Sequence, residues 1–151
     1  VTSMTAEMSP QQLIVWRILQ RAQVEITRSL EIALLSKHDL APAAYDVLFQ
    51  LFETPGRRLR MNDLADRVLL SRSGLTRLID RLQREGLVER EACASDARGL
   101  YAVLTTAGEE RFSEATPTYM RAVRGRFLGL LNDEELRQCA AMLAKLFPPG
   151  S

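Results

Sequence analysis

Apolar positions recur along this chain at a helical spacing that gives way once, midway, to short extended runs. From Ser9-Pro10 onward, Leu13, Trp16, Ile18, Leu19, Ala22, Ile26, Leu30, Ala33 and Leu34 keep the helical period to about Ser36. Ser9 can cap this helix, and Pro10 suits its first position. At 1.5 Å per residue the helix is about 40 Å long. A domain of this size does not cover such a helix alone, so a partner helix is implied, from the C-terminus or from a second subunit. Leu40-Ala41-Pro42 breaks the pattern, and a second helix is predicted over 42–53 with Tyr45, Leu48, Phe49 and Phe52 apolar. Thr54-Pro55-Gly56 stops it. Asn62 is expected to cap a short third helix carrying Leu64, Ala65, Val68 and Leu69. Ser71 caps a fourth, in which Leu75, Leu78, Ile79 and Leu82 fall at i, i+3, i+4 and i+7, and Gly86 is its expected stop.

The spacing then changes. Leu87–Arg90 and Leu100–Leu104 read as the strands of a hairpin whose tip is Ala94–Gly99. Thr105 or Thr106 caps a further helix running toward Leu131, with Phe112, Tyr119, Val123 and Phe127 apolar and Pro117 as a point of kinking or breakage. Asn132-Asp133-Glu134-Glu135 opens a last helix with Leu136, Met142, Leu143, Leu146 and Phe147, ending at Pro148-Pro149-Gly150. The predicted class is mainly α, α+β only through the small hairpin. Two short helices, a tight turn at Leu70-Ser71 and a hairpin make a winged helix-turn-helix.

A length of 151 residues with 46% hydrophobic residues suffices for one domain with a real core. No run of eighteen apolar residues occurs, so no membrane span is expected. The opening VTSMTAEMSP has neither the basic start nor the apolar stretch of a secretory leader, and a cytoplasmic protein is expected. The formal net charge of +1 does not announce a nucleic-acid partner, but its distribution does. From Arg67 to Arg84 there are five arginines and a single acid, Asp80. Taken alone, such a run is as readily a solvated helix face.

Within the predicted helix-turn-helix the run acquires a role. The second helix packs through its leucines, leaving its N-terminal half free to enter a major groove. Ser71 and the free amides of the first turn can meet a phosphate. Ser73, Thr76 and Arg77 then face base edges, where an arginine can bind guanine and a threonine methyl can touch thymine. Arg72 shares that donor-rich face, and Arg81 and Arg84 lie further along, toward the DNA backbone. Gly74, unusual inside a helix, suits close approach either to DNA or to the neighbouring helix. At the hairpin tip Arg98 can reach a minor groove, with Asp96 holding its side chain. These residues predict double-stranded DNA as the partner.

An enzyme is not expected: the chain has one histidine, no glycine-rich phosphate loop and no nucleophile beside a base. Neither a cofactor nor a metal is expected, since two cysteines, Cys93 and Cys139, make no zinc site and no disulfide framework. The rival class is a winged-helix module that binds only proteins. Steep loss of affinity with salt distinguishes DNA binding from it.

The order LRMNDLADRVLLSRSGLTRLIDRLQREGLVER, then SDAR, then AVLTTAG resembles the MarR family of bacterial transcription regulators. The likeness rests on Leu64-Ala65, on the serine-led helix ending in Arg81-Leu82 and Gly86-Leu87-Val88-Glu89-Arg90, on Asp96 and Arg98, and on Leu104-Thr105 with Gly108. Each piece is weak, and the ordered set is specific. One departure stands in the wing, where the family pattern Asp-Arg-Arg has Ala97 at its centre. The resemblance covers nearly the whole chain. It implies a homodimer built by helices at about 9–38 and 106–147, with a DNA-binding lobe at about 42–104 in a single domain over 1–151. It also implies a pseudo-palindromic operator, usually repression, and release by a small aromatic or phenolic effector or by cysteine oxidation. Family effectors bind between the dimerisation helices and the DNA-binding lobe, which makes Trp16, His38, Tyr45 and Asp46 candidate ligand residues. Packing competes with that role for each of them. Cys93, at the base of the wing, is the candidate redox residue. It is expected to be exposed, and with Glu89, Arg90 and Glu91 nearby its thiolate is not obviously favoured.

Overall fold

The computed structural model describes residues 7–95 and 99–148. Six helices and a small sheet follow one another: α1 (Pro10–His38), α2 (Pro42–Glu53), β1 (Arg58–Arg60), α3 (Met61–Arg67), α4 (Arg72–Arg84), β2 (Val88–Ala92), β3 (Leu100–Leu104), α5 (Thr106–Arg126) and α6 (Asp133–Leu143). The chain forms two compact units, residues 33–119 and the flanking segments up to Ile32 and from Met120.

The unit of residues 33–119 is a winged helix-turn-helix. Its core takes Leu34 from the end of α1, Val47, Leu48 and Leu51 from α2, and Leu64 from α3. Leu75, Ile79 and Leu82 of α4 are buried with them, and Leu78 packs against this cluster half-buried, as their spacing predicts. Each fully buried leucine or isoleucine contributes about 1.5–3 kcal/mol relative to exposure, so the apolar row of α4 fixes which face the helix turns outward. The three strands are antiparallel in the order β1-β3-β2.

Local chemistry sets the ends of α4. Ser71 Oγ accepts a hydrogen bond from the Gly74 amide at 3.1 Å. At the other end Gly86 adopts φ +74°, and the amides of Leu87 and Gly86 donate to the Leu82 and Gln83 carbonyls at 2.9 and 3.0 Å. That paired arrangement closes the helix and turns the chain into β2. Thr105, not Thr106, caps α5, accepting from the Gly108 amide at 3.0 Å. Between α3 and α4, Leu69 has φ +55° and a side chain 91% exposed. This leucine therefore shapes the turn with its backbone and adds nothing to the core.

Two expectations change, and one element, β1, is unanticipated. Asn62 does not cap α3: the cap position is Arg60, which makes no capping side-chain bond. Arg60 is the last residue of β1, held extended opposite Tyr101 of β3, so the sheet pairing itself supplies the entry into the helix. The strand β1 has only three residues, too few to show an alternation, and it exists because β3 pairs with it. Pro117 does not break α5, which ends instead at Arg126 and is followed by a 3-10 turn at Leu128–Leu130.

The second unit holds the first part of α1, the end of α5 and α6. Asn132 and Glu135 exchange backbone-to-side-chain hydrogen bonds of 2.9 Å each at the start of α6, as their order in the sequence suggests. Helix α6 ends at Leu143, short of Phe147. No described residue of this unit is buried. Ile14, Val15, Ile18 and Leu19 on α1, with Met142, Leu143 and Phe147 near the C-terminus, remain in contact with solvent.

Candidate nucleic-acid interface

Helix α4 is buried on one side through Leu75, Ile79 and Leu82, while Ser71, Arg72, Ser73, Thr76, Arg77, Arg81 and Arg84 are exposed. The expected reading residues thus share an outward surface. Their polar tips differ in availability. Ser71 Oγ is engaged by the Gly74 amide and lies 3.3 Å from Ser73 Oγ. The Thr76 hydroxyl donates to the Arg72 carbonyl at 2.9 Å, which ties down its oxygen. Arg81 Nε donates to Glu85 Oε1 at 3.0 Å, one turn along the helix. Arg72, Arg77 and Arg84 form no ion pair with any described residue. Three unneutralised guanidinium groups on one helix draw a polyanion.

A β-carbon at Gly74 would meet only Ser71 Oγ, at 3.0 Å. The neighbouring helix is not close, so of the two uses expected for this glycine, packing against that helix falls away. Asp96 and Arg98, the wing-tip residues, lie outside the described residues. The wing base is described: the Cys93 amide donates to the Gly99 carbonyl at 2.9 Å and closes the loop. A cleft of about 350 Å³ lies beside it, lined by Arg60, Met61, Asn62, Thr76, Arg90 and the start of β3.

Sequence reading missed two arginine arrangements. Arg90 on β2 reaches back to α4, where it meets Asp80, Gln83 and the Thr76 carbonyl. On β1, Arg58 stacks over the Tyr101 ring with 4.6 Å between guanidinium carbon and ring centroid, and pairs with Glu91 at 3.2 Å. The available signal was Arg90 within the family-like run; its partner Asp80 lies ten residues earlier, across the helix stop, where no helical or strand period connects them.

Cys93 corrects the sequence-based expectation twice. It is buried, 5% exposed, and its thiol is lowered from an ordinary 9.0 to about 7. The hydroxyl of Ser95, 3.4 Å away, is the largest cause, followed by Tyr101, the Ser95 backbone and, last, the charge of Arg60; burial opposes them. Neither Glu89 nor Glu91, the acids that argued against a thiolate, is among the causes of the Cys93 shift, and Glu91 is paired with Arg58 at 3.2 Å.

The candidate effector residues separate. Tyr45, Asp46 and His38 gather against α5. The Tyr45 ring stacks on Tyr119 at 4.3 Å, and its hydroxyl shares a 3.1 Å hydrogen bond with Thr116. His38 Nε2 and the Thr118 hydroxyl are 2.8 Å apart. Burial raises the Asp46 carboxyl above its ordinary value, with a Gln50 hydrogen bond opposing. Burial raises the Tyr45 and Tyr119 phenols too. Trp16 belongs to the other unit and is 46% exposed.

A helix with a buried apolar row and an outward cationic row, stopped by a glycine and followed by a hairpin, defines a winged helix-turn-helix regulator. A family model described as the MarR family matches residues 38–99. The HTH-type transcriptional repressor MdtR of Bacillus subtilis is 31% identical over 139 residues, covering 92% of this chain and 84% of that one. Two solved structures from Streptomyces coelicolor match closely in shape. AbsC, a MarR family transcriptional regulator, is 35% identical with a TM-score of 0.84, covering 94% of this chain and 93% of its own. Sco3205, solved in complex with DNA, is 30% identical with a TM-score of 0.87, covering 95% and 93%. The chain belongs to the MarR family. It is a transcriptional regulator and not an enzyme. No helix among the described residues is long and apolar enough to cross a membrane.

Proposed function

We propose that this regulator is a cytoplasmic homodimeric repressor that reads a pseudo-palindromic operator and is released by a small aromatic or phenolic effector. The observation that carries the reading is the outward row of α4, with Arg72, Arg77 and Arg84 unneutralised opposite a buried leucine row. Ser71 and the first-turn amides meet a phosphate, and Ser73, Thr76 and Arg77 meet base edges. The Thr76 hydroxyl is engaged within the helix, so its methyl is the contact. Arg72, Arg81 and Arg84 follow the backbone, and Arg98, steadied by Asp96, enters the minor groove. The DNA-bound state of Sco3205 supports the partner. Dimerisation is supported by a unit in which no described residue is buried and many large apolar side chains are exposed.

Selection of random duplexes on the purified protein, followed by sequencing, tests this. An inverted repeat with half-sites about ten base pairs apart is expected. No enrichment at low salt, even after stripping of bound small molecules, would leave a protein-binding winged helix and overturn the reading.

For the effector, Tyr45, Asp46 and His38 are the residues proposed on one unit and Trp16 on the other. A second reading, release through oxidation of Cys93, draws on the lowered thiol. Peroxide that leaves operator affinity unchanged in the reduced protein removes it.

A further inference from the structure

The contacts of Arg90 single it out from the arginines of the reading face. Its Nη1 donates to Gln83 Oε1 at 2.6 Å, its Nη2 donates to the Thr76 carbonyl at 3.4 Å, and the same Nη2 lies 2.6 Å from Asp80 Oδ1. Positions 76, 80 and 83 are i, i+4 and i+7, one stripe running two turns along α4. A single planar side chain therefore grips the recognition helix along half its length. The Arg90 side chain is 21% exposed, against 48% for its partner Asp80. Its own backbone is fixed in β2 opposite Ala102 of β3, the central strand, whose side chain is fully buried. The sheet thus anchors one end of the strap and α4 the other.

We infer that Arg90 is a positioning residue: it sets the angle at which α4 is presented relative to the wing, and it does so by occupying its donors within the protein. The inference rests on the DNA-reading function proposed above. The guanidinium fork is what the geometry requires, because its separate nitrogens reach different turns of the helix at once. A lysine keeps the charge and loses the fork. Asp80 completes the arrangement. As the single acid between Arg67 and Arg84 it opposes the attraction of that helix for phosphate, so its presence there needs a reason. Holding Arg90 is that reason.

Asp80 gives a test in which the two accounts predict opposite signs. Asp80→Asn removes a negative charge beside the reading face. If Asp80 were an electrostatic bystander, affinity for DNA would rise. On the positioning account, affinity for the selected operator falls roughly tenfold, the scale of one lost charge-assisted hydrogen bond, while affinity for a scrambled duplex stays level or rises. Arg90→Lys is expected to lose specific affinity similarly, with the slope of log affinity against log salt unchanged. Arg84→Ala serves as the contrast, with a slope reduced by about one ion. Thermal melts of each variant and titration of the active fraction separate this from simple unfolding. A structural role alone would lower the melting temperature and leave the specific-to-scrambled ratio of the folded fraction intact.

Asp80→Asn binding the operator as tightly as the parent, or more tightly, overturns the inference. So does a salt slope in Arg90→Lys that differs from the parent, which would place Arg90 on a phosphate. A parent protein that enriches no sequence overturns the DNA-reading function itself, and the positioning role falls with it.

Discussion

Gly108 at the start of α5 lies directly on the Leu87 carbonyl of the turn after α4. A β-carbon there would collide with that oxygen and come within 2.7 Å of Leu104 Cδ1. The same carbonyl accepts the Thr105 amide at 3.2 Å, so backbone already occupies the space from both sides. Gly108→Ala should cost roughly 1–3 kcal/mol of stability through forced displacement of backbone. Urea unfolding monitored by circular dichroism measures it. An unchanged midpoint would mean that α5 can shift freely away from Leu87.

Arg77→Ala should weaken operator binding by roughly 1–3 kcal/mol and relax base preference in its half-site. Arg98→Ala should weaken binding with little change in major-groove specificity. Competition binding against single-base operator variants measures both. Parental behaviour in both mutants would mean that the reading face lies elsewhere.

Asp46 has a carboxyl raised by burial. A raised acid binds its proton more tightly folded than unfolded, so its ionisation weakens the fold as pH rises through the carboxylate range. Asp46→Asn should therefore raise the melting temperature at pH 7, with the gain shrinking toward zero in acid. Melts from pH 4 to 8 give the profile. A gain that grows in acid would mean that an unrecognised cation stabilises the carboxylate.

The Cys93 thiol, lowered to about 7, carries the opposite sign. The folded state releases this proton before the unfolded state does. The stabilisation is absent below the folded value, appears above it and is complete above the ordinary 9.0. The stability gap between the parent and Cys93→Ser should widen from pH 7 to 9. Alkylation of the native protein should show a midpoint near 7, and a midpoint near 9 would exclude the lowered thiol.

The contrast between α4 and the wing base explains what could be read from the chain beforehand. Leu75, Ile79 and Leu82 report their burial through spacing alone, and Ser71 and Gly86 mark the ends of their helix by local chemistry. Gly108 was visible as part of a familiar run, but its reason, the Leu87 carbonyl, required the turn to be folded. The strand β1, the burial of Cys93 and the grip of Arg90 on Asp80 all depend on partners brought close by the sheet. Local sequence carries no trace of such pairings. Ala41 and Arg60 head helices with no side-chain cap at all, so a search for capping residues finds the wrong start for α3.

The unit that buries none of its described residues has a genetic corollary. On the dimeric reading, chains assemble through surfaces that contain none of the reading residues. A chain lacking Arg77 therefore still pairs with an intact one. In a cell making both equally, about half of the assemblies are hybrids with a single competent half and only about a quarter are fully intact, so the defective allele weakens its healthy counterpart. Loss of the apolar side chains Ile14, Ile18 and Phe147 has the reverse inheritance, since a chain that cannot pair cannot interfere.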